Sequence, residues 1–203
     1  MTRIFLLSPA HCGGERARLL IRPEASFDLA ERLRSGTGAT LGEVFSFLSG
    51  LYFRGKLAYA RAFSPAPSAR TAVWVITPGA GLRLPDERIG IEALRAFAEV
   101  AIHEQEPRYL EPLLRDARRV FVDLEPEADV VLLGSVATGK YVDVLLPLLG
   151  SRLLFPRDFV GRGDMSRGGL LLRCVDARRE LDYVTVAGTA RRGSRPPRLE
   201  RRS

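Results

Sequence analysis

The feature that most constrains the fold of this chain is the stretch of residues 129–173. It starts with an unbroken apolar run, residues 130–133, of the kind that forms a strand buried on both faces. A turn of small residues, 134–139, leads into an amphipathic helix over residues 140–149, and a second apolar run follows at 153–155. Strand, glycine turn, helix and strand in this order predict a parallel α/β unit. Such units bind anionic ligands at the carboxyl end of a strand and the amino end of a helix.

The rest of the chain repeats this alternation. Apolar, β-branched runs predict strands, and periodic apolar positions with glycine or proline at their ends predict helices. The predicted strands are residues 3–7, 71–77 and 119–124, and the predicted helices are residues 23–34, 41–63, 91–104 and 107–118. We therefore expect an α/β fold with three layers, in which helices flank a largely parallel sheet within a single domain.

The net charge of +7 is concentrated near the carboxyl end of the sequence. Residues 190–203 carry six arginines and one glutamate, and they are rich in proline and glycine. This composition predicts an α/β domain over residues 1–189 and a disordered, arginine-rich tail over 190–203. A solvated tail and a tail that binds polyanions are both compatible with it.

Cysteine, histidine and hydropathy exclude several classes of protein. No apolar segment approaches the roughly 20 residues that span a bilayer, so we expect no membrane association. Two distant cysteines without a CxxC pair fit a reducing cytoplasm, and only two histidines make a zinc site of Cys/His type improbable. The sequence predicts a cytoplasmic protein with no metal and no cofactor, and it leaves the oligomeric state open.

Polar residues follow two of the predicted strands. Ser8 and His11 come directly after the first strand, where a hydroxyl donor and an imidazole base face ligands in many α/β proteins. Asp86 follows a glycine-containing loop after the strand at 71–77, which makes it a candidate catalytic carboxylate. The structural alternatives are a hydrogen-bonding role for His11 and a turn or helix-capping role for Asp86.

The turn at 134–140 has the spacing of a phosphate-binding loop. Gly134, Ser135, Gly139 and Lys140 match GxxxxGK between a strand and a helix. Tyr141, however, stands where magnesium binding requires serine or threonine, and no strand ending in a suitable aspartate follows. We therefore expect contact with a phosphate or nucleotide rather than triphosphate hydrolysis. Only two of the 31 basic residues are lysines, Lys56 and Lys140, and each directly follows a glycine. A lysine in an arginine-rich chain favours a site that needs a compact ammonium, which we assign to Lys140 and leave open for Lys56.

A second basic segment follows at residues 161–169. The sequence predicts a glycine- and arginine-rich loop in which Arg162 and Arg167 contact phosphates. Asp164 or Ser166 would then lie on a base edge or a water molecule. A flexible surface connection is the alternative.

Three short motifs resemble those of an uncharacterised bacterial and phage domain family. They are SGLYFR with Tyr59-Ala60, the strand WVITPGAGL with Pro85-Asp86, and the strand that ends at Gly134 with Lys140-Tyr141. That family is similar to the carboxyl-terminal catalytic domain of archaeosine synthases and, more distantly, to the uracil-DNA-glycosylase-like fold. The resemblance covers roughly residues 45–150. It implies a site that grips a nucleobase or nucleotide at the ends of parallel strands.

These observations lead to three hypotheses of function. The leading one is an enzyme of glycosylase or base-modification type that acts on a nucleic-acid base or nucleotide. In it, Asp86 or Asp164 would stabilise a cationic sugar or orient water, and Arg162 and Lys140 would hold phosphates. The alternative is a non-catalytic nucleotide- or nucleic-acid-binding module that uses the GSVATGK turn. The third is an interaction protein whose arginine tail makes the contacts.

Overall fold

The computed structural model describes residues 3–64, 72–122, 124–125, 127–197 and 199. The strands are β1 (Arg3–Leu7), β2 (Ala39–Thr40), β3 (Val73–Thr77), β4 (Gly81–Arg83), β5 (Arg88–Ile89), β6 (Asp129–Leu133), β7 (Leu153–Pro156) and β8 (Tyr183–Thr185). The helices are α1 (Glu15–Ile21), α2 (Asp28–Arg34), α3 (Leu41–Ser49), α4 (Leu51–Phe63), α5 (Ile91–Ala98), α6 (Pro107–Val122), α7 (Gly139–Leu149) and α8 (Asp164–Asp176).

Six of these strands form one sheet in the order β4-β3-β1-β6-β7-β8. β1 pairs in parallel with both β3 and β6, and β6 pairs in parallel with β7. The edge strands β4 and β8 are antiparallel to their neighbours, and β2 and β5 form a separate two-stranded ladder. The structure therefore confirms the predicted α/β class: a single compact domain built on a mostly parallel sheet flanked by helices.

The central strands are buried because helices cover both faces of the sheet. α4 packs on α8 and contacts β1, whereas α6 and α7 pack together and contact β3, β4 and β7. The chain moves from β1 to β3 in one direction and from β3 to β6 in the other, and right-handed crossovers then place the two sets of helices on opposite faces. Phe45 meets Phe53 and Phe97 edge to face within the core, so most aromatic residues of α3 and α4 serve packing.

Two predicted elements were wrong. Residues 119–122, predicted as part of a strand, form the last turn of α6, because Leu113, Ala117 and Phe121 recur every four residues and are all buried. The predicted loop at 161–169 ends at Gly163, after which residues 164–176 form α8. Two further helices are shorter than predicted, since α2 begins at Asp28 and α5 ends at Ala98.

Part of the arginine-rich segment contacts the domain. Arg192 donates from Nε and Nη2 to the carbonyl oxygen of Ala137 at 3.2 and 3.1 Å. Gly161 has φ +72° and lies directly against the backbone of Ser194, so a side chain at this position would be strained and would collide. Residues 190–197 and 199 belong to the described part of the chain, whereas residues 198 and 200–203 lie outside it.

No helix in the described ranges is long and apolar enough to cross a membrane. The same part of the chain holds no group of three or more His, Cys, Asp or Glu side chains that could hold a metal ion.

Candidate functional site

The candidate site lies where β1 and β6 end side by side. β1 lies between β3 and β6 in the sheet. The chain first passes from β1 to β3 on one side, and it later forms β6 on the other side of β1. The loops that follow β1 and β6 therefore diverge, and this switch of direction is where open α/β sheets bind ligands. Ser8 follows β1, and its N–H donates to the carbonyl oxygen of Leu133 at 3.2 Å. Gly134 follows β6, and a Cβ atom there would lie 2.9 Å from the Cβ of Ser8, so the glycine makes room for the serine.

A buried lysine binds the end of β1. Lys56, on α4, is 0% exposed, and its Nζ donates to Ser8 O at 2.5 Å and to Ser8 Oγ at 2.8 Å. The same atom lies 4.4 Å from the ring centroid of Tyr52 and 4.9 Å from that of Phe53. Burial lowers the pKa of Lys56 from 10.5 to about 7, while the negative charge of Asp164 acts to raise this pKa and the positive charge of Arg167 acts to lower it further. Near neutral pH a large fraction of this amine is therefore uncharged.

Two glycines set the position of Lys56 by letting helices α4 and α8 touch. A Cβ atom on Gly55 would lie 2.7 Å from the carbonyl oxygen of Gly168, and one on Gly168 would lie 2.7 Å from the carbonyl oxygen of Leu51. This backbone contact places Lys56 and Arg167, each adjacent to one of the glycines, at the same crossing. Neither glycine interrupts its helix. Both are needed because the backbones of α4 and α8 approach each other too closely for a side chain.

Arg167 and Asp164 form the charged side of the site. Arg167 is 6% exposed and donates from Nε and Nη2 to the carbonyl oxygen of Phe159 at 3.3 and 3.1 Å. Its Nη1 lies 3.4 Å from Oδ1 of Asp164, one turn away on α8. The Asp164 carboxylate is largely exposed, whereas the Arg167 side chain is buried, so the pair extends from the interior to the surface.

Two tyrosines add hydroxyl groups to this centre. The Tyr52 hydroxyl is buried beside the Arg167 guanidinium, which acts on it as a hydrogen-bond donor, and no acceptor takes the hydroxyl's own proton among the residues that the structure describes. Burial raises the pKa of both Tyr52 and Tyr141; at Tyr141 a hydrogen bond with the Ser8 side chain opposes this shift. Both phenols are therefore protonated at neutral pH, and Tyr52 retains a free donor inside the protein.

The glycine turn at residues 134–139 lies where it was predicted, but an acidic side chain lies against it. It connects β6 to α7, and beside it lies a cavity of about 470 Å³ lined by Ala137, Thr138, Gly139, Asp143 and Ala190–Arg192. The Asp143 carboxylate rests against Gly139 at the positive end of the α7 dipole, and it also pairs with Arg191 at 3.6 Å. A phosphate at this turn would meet that carboxylate, which weakens the resemblance to a phosphate-binding loop.

The other predicted residues have different surroundings. His11 is exposed and folds over Gly14, whose Cβ would lie 3.1 Å from its Cδ2. Lys140 is exposed, and its carbonyl oxygen accepts a hydrogen bond from the Tyr109 hydroxyl at 2.9 Å. Arg162 donates to Ser166 Oγ at 3.3 Å and to the carbonyl oxygen of Pro197 at 3.4 Å.

Asp86 is not brought to the others. It pairs with Arg61 and borders a cavity with Ala72 and Val73, at the start of β3. Because β4 runs antiparallel to β3, the hairpin returns the chain to the amino ends of the parallel strands, whereas Ser8 lies at their carboxyl ends. Among the predicted catalytic and phosphate-binding residues, Ser8 contacts Lys56, and Gly134 lies against Ser8. The charges of Asp164 and Arg167 act on the same lysine.

Sequence reasoning did not select the central residue of the site. Tyr52 and Tyr141 lie within the short motifs of the resemblance but were given no role, and Lys56 carries no local motif that distinguishes it from core residues of an apolar helix. The usable signal was the rarity of lysine, which pointed to two positions, of which the structure buries Lys56 and exposes Lys140.

No protein-family model matches the chain, and the comparisons with curated proteins and with solved structures gave no match.

Proposed function

We propose that this chain is an enzyme of glycosylase or base-modification type that acts on a nucleic-acid base or nucleotide, with Lys56 as its reactive group. The observation that carries the proposal is the 2.8 Å contact between Lys56 Nζ and Ser8 Oγ in a buried centre at the ends of β1 and β6. An amine with a pKa of about 7 is a nucleophile and a base at neutral pH, which an exposed lysine is not. The resemblance of residues 45–150 to nucleobase-acting domains points to the same substrate class.

In a glycosylase reaction, the lone pair of Lys56 Nζ forms a bond to C1′ of the sugar while the bond from C1′ to the base nitrogen breaks. The base leaves with that electron pair and takes up a proton, for which the free Tyr52 hydroxyl is a donor. The Lys56 ammonium then returns one proton to the Tyr52 phenolate and passes its other proton to the ring oxygen O4′, while the bond between C1′ and O4′ breaks and an imine forms. Hydrolysis of the imine by water releases the sugar aldehyde and regenerates the lysine. Asp164 supplies the negative charge that favours the cationic sugar.

Substrate access requires movement of the groups that cover the amine. Lys56 has no exposed surface, and Ser8, Tyr52, Tyr141 and Arg167 are each less than a tenth exposed. Tyr141 and Arg167 lie on the first turns of α7 and α8, so displacement of these two turns would remove two of the side chains that cover the amine.

The test is chemical trapping. The full chain is incubated with labelled DNA and RNA oligonucleotides that contain uracil, hypoxanthine, alkylated bases or abasic sites, in the presence of borohydride. We expect a covalent complex and base release with the wild-type chain and with Lys140→Met, whose lysine is exposed, and neither with Lys56→Met. Ser8→Ala should reduce the rate. Base release or modification by Lys56→Met at the wild-type rate would disprove the role of this lysine.

The same contact favours a second chemistry, acyl transfer, in which Lys56 takes the proton of Ser8 Oγ and the serine attacks a carbonyl carbon. A fluorophosphonate probe, which labels nucleophilic serines, distinguishes acyl transfer through Ser8 from base chemistry through Lys56. Labelling of Ser8 that is lost in Ser8→Ala and in Lys56→Met, without any effect on nucleic acids, would replace our proposal by this one.

A non-catalytic nucleotide-binding module at the GSVATGK turn is less well supported, because Asp143 already occupies the start of α7. Nucleotide binding that Lys140→Met abolishes and Lys56→Met leaves unchanged would favour it.

A further inference from the structure

A basic groove lies next to the buried centre. It has a volume of about 580 Å³ and is formed by α1, the α3–α4 junction and the first turn of α8. Two of its lining residues are neighbours in sequence of the candidate site: Leu51 directly precedes Tyr52, and Met165 directly follows Asp164. A ligand bound in this groove would therefore lie beside the candidate site.

The groove carries positive charge and no carboxylate. Arg16 and Arg54 line it, and neither forms an ion pair with a carboxylate among the residues that the structure describes. Arg16 is held in place by donating from Nη1 to the carbonyl oxygen of Phe47 at 3.1 Å. Gly50, with φ +58°, leaves space for this guanidinium, since a Cβ atom there would lie 2.5 Å from Nη1. The remaining polar lining residues are the serines Ser46 and Ser49.

The groove also presents apolar surface of a kind that bases contact. Met165 is 67% exposed, the largest exposure of any large apolar side chain in the described part of the chain. Phe47 lines the groove and stacks on the partly exposed Phe27, with ring centroids 5.5 Å apart and planes inclined by 23°. Cationic side chains beside apolar and aromatic surface are the combination that binds single-stranded nucleic acids, through phosphates and unstacked bases respectively.

We infer that this groove binds a single-stranded nucleic-acid segment, with phosphates on Arg16 and Arg54 and a base against Met165 and Phe47. The inference rests on the proposed function and narrows it, because the substrate is then a base within a polynucleotide strand and not a free nucleotide.

The test measures the binding of the full chain to labelled oligo(dT) and oligo(U) by fluorescence anisotropy over a salt series. Arg54→Gln is the main variant, and Arg118→Gln on α6, which removes an exposed charge on the other face of the sheet, is the matched control. We expect Arg54→Gln to weaken binding roughly threefold to tenfold near 100 mM salt and to lower the salt slope by about 1, with no change for Arg118→Gln. Met165→Ala should weaken binding without changing the slope, because it removes no charge.

Equal losses in Arg54→Gln and Arg118→Gln would overturn the inference, since binding would then reflect total charge. So would binding to anionic phospholipid vesicles that depends on Arg54 while oligonucleotides do not bind. The measurements distinguish failure of the proposed strand binding in the groove from failure of the proposed enzyme activity. Strand binding that depends on Arg54 without any base chemistry refutes only the enzyme, whereas Lys56-dependent base chemistry with unchanged KM in Arg54→Gln refutes only the groove.

Discussion

The buried amine of Lys56 should make the stability of the protein depend on pH above neutrality. Burial lowers its pKa from 10.5 to about 7, a difference that corresponds to about 5 kcal/mol between the charged and uncharged forms. Between these two pH values the unfolded chain binds a proton that the folded chain does not. The free energy of unfolding therefore rises with pH across this window, by at most about 1.4 kcal/mol per pH unit. From pH 7 to pH 9 the gain from this one group is about 2 kcal/mol.

The assay is urea denaturation at pH 6, 7, 8 and 9 of the wild-type chain, Lys56→Met and Lys140→Met. Methionine keeps the unbranched apolar stem of the lysine, one heavy atom shorter, but has no titratable group, so Lys56→Met should lack the gain. Lys140→Met should keep it, because that lysine is exposed. Below pH 7 the amine is protonated in both states, and the wild-type and Lys56→Met curves should run parallel. If they also run parallel from pH 7 to pH 9, Lys56 does not titrate in this range, and the basis for its reactivity is refuted.

Three further predictions concern the elements around the site. Gly168→Ala should lower the free energy of unfolding by about 2 kcal/mol or more in urea titrations, because its Cβ would meet α4, whereas Gly36→Ala, with open space around it, should change it by less than about 0.5 kcal/mol. An equal effect of both would disprove the close crossing. Thr40→Ala removes the capping box that Thr40 forms with Glu43 at the start of α3 and should cost about 1 kcal/mol by the same assay; no change would mean that the cap is not formed. Burial raises the pKa of Cys12 to about 12, so iodoacetamide at pH 8 should alkylate this thiol only after unfolding, as mass spectrometry would show; fast alkylation of the folded chain would contradict its burial.

The elements that sequence predicted well are those with a strong local pattern. β1, β6 and α7 appear within one or two residues of their predicted bounds, because continuous apolar runs and helical periodicity determine them. α8 was missed because Gly168-Gly169 lowers the local helix propensity, and only the partner helix reveals why glycine is needed. A property of two helices that are far apart in sequence leaves no signature in either one alone.

The residues of the candidate site were predicted only in part, because some of them are positioned by contacts between elements that are far apart in sequence. Ser8 follows a strand that was correctly assigned, so its place at the sheet edge could be foreseen. Asp86 follows a correct strand too, but the tight hairpin from β3 to β4 reverses the chain before Asp86 is reached. Lys56 acquires its character only through burial between α4, α8 and the end of β1, and burial of a charged residue is not encoded by its neighbours in sequence.

The contact of residues 190–192 with the β6–α7 turn has a consequence for how the protein forms during translation. Synthesis delivers the amino-terminal part of a chain first, so β1, β6 and α7 emerge from the ribosome before Arg191 and Arg192 are made. The nascent chain can thus assemble its sheet while the turn at residues 134–139 still lacks the arginines that border it. The cavity beside the turn is completed only once residues 190–192 have been synthesised. A chain released before residue 190 would keep the central strands and expose the Asp143 carboxylate without Arg191, its ion-pair partner.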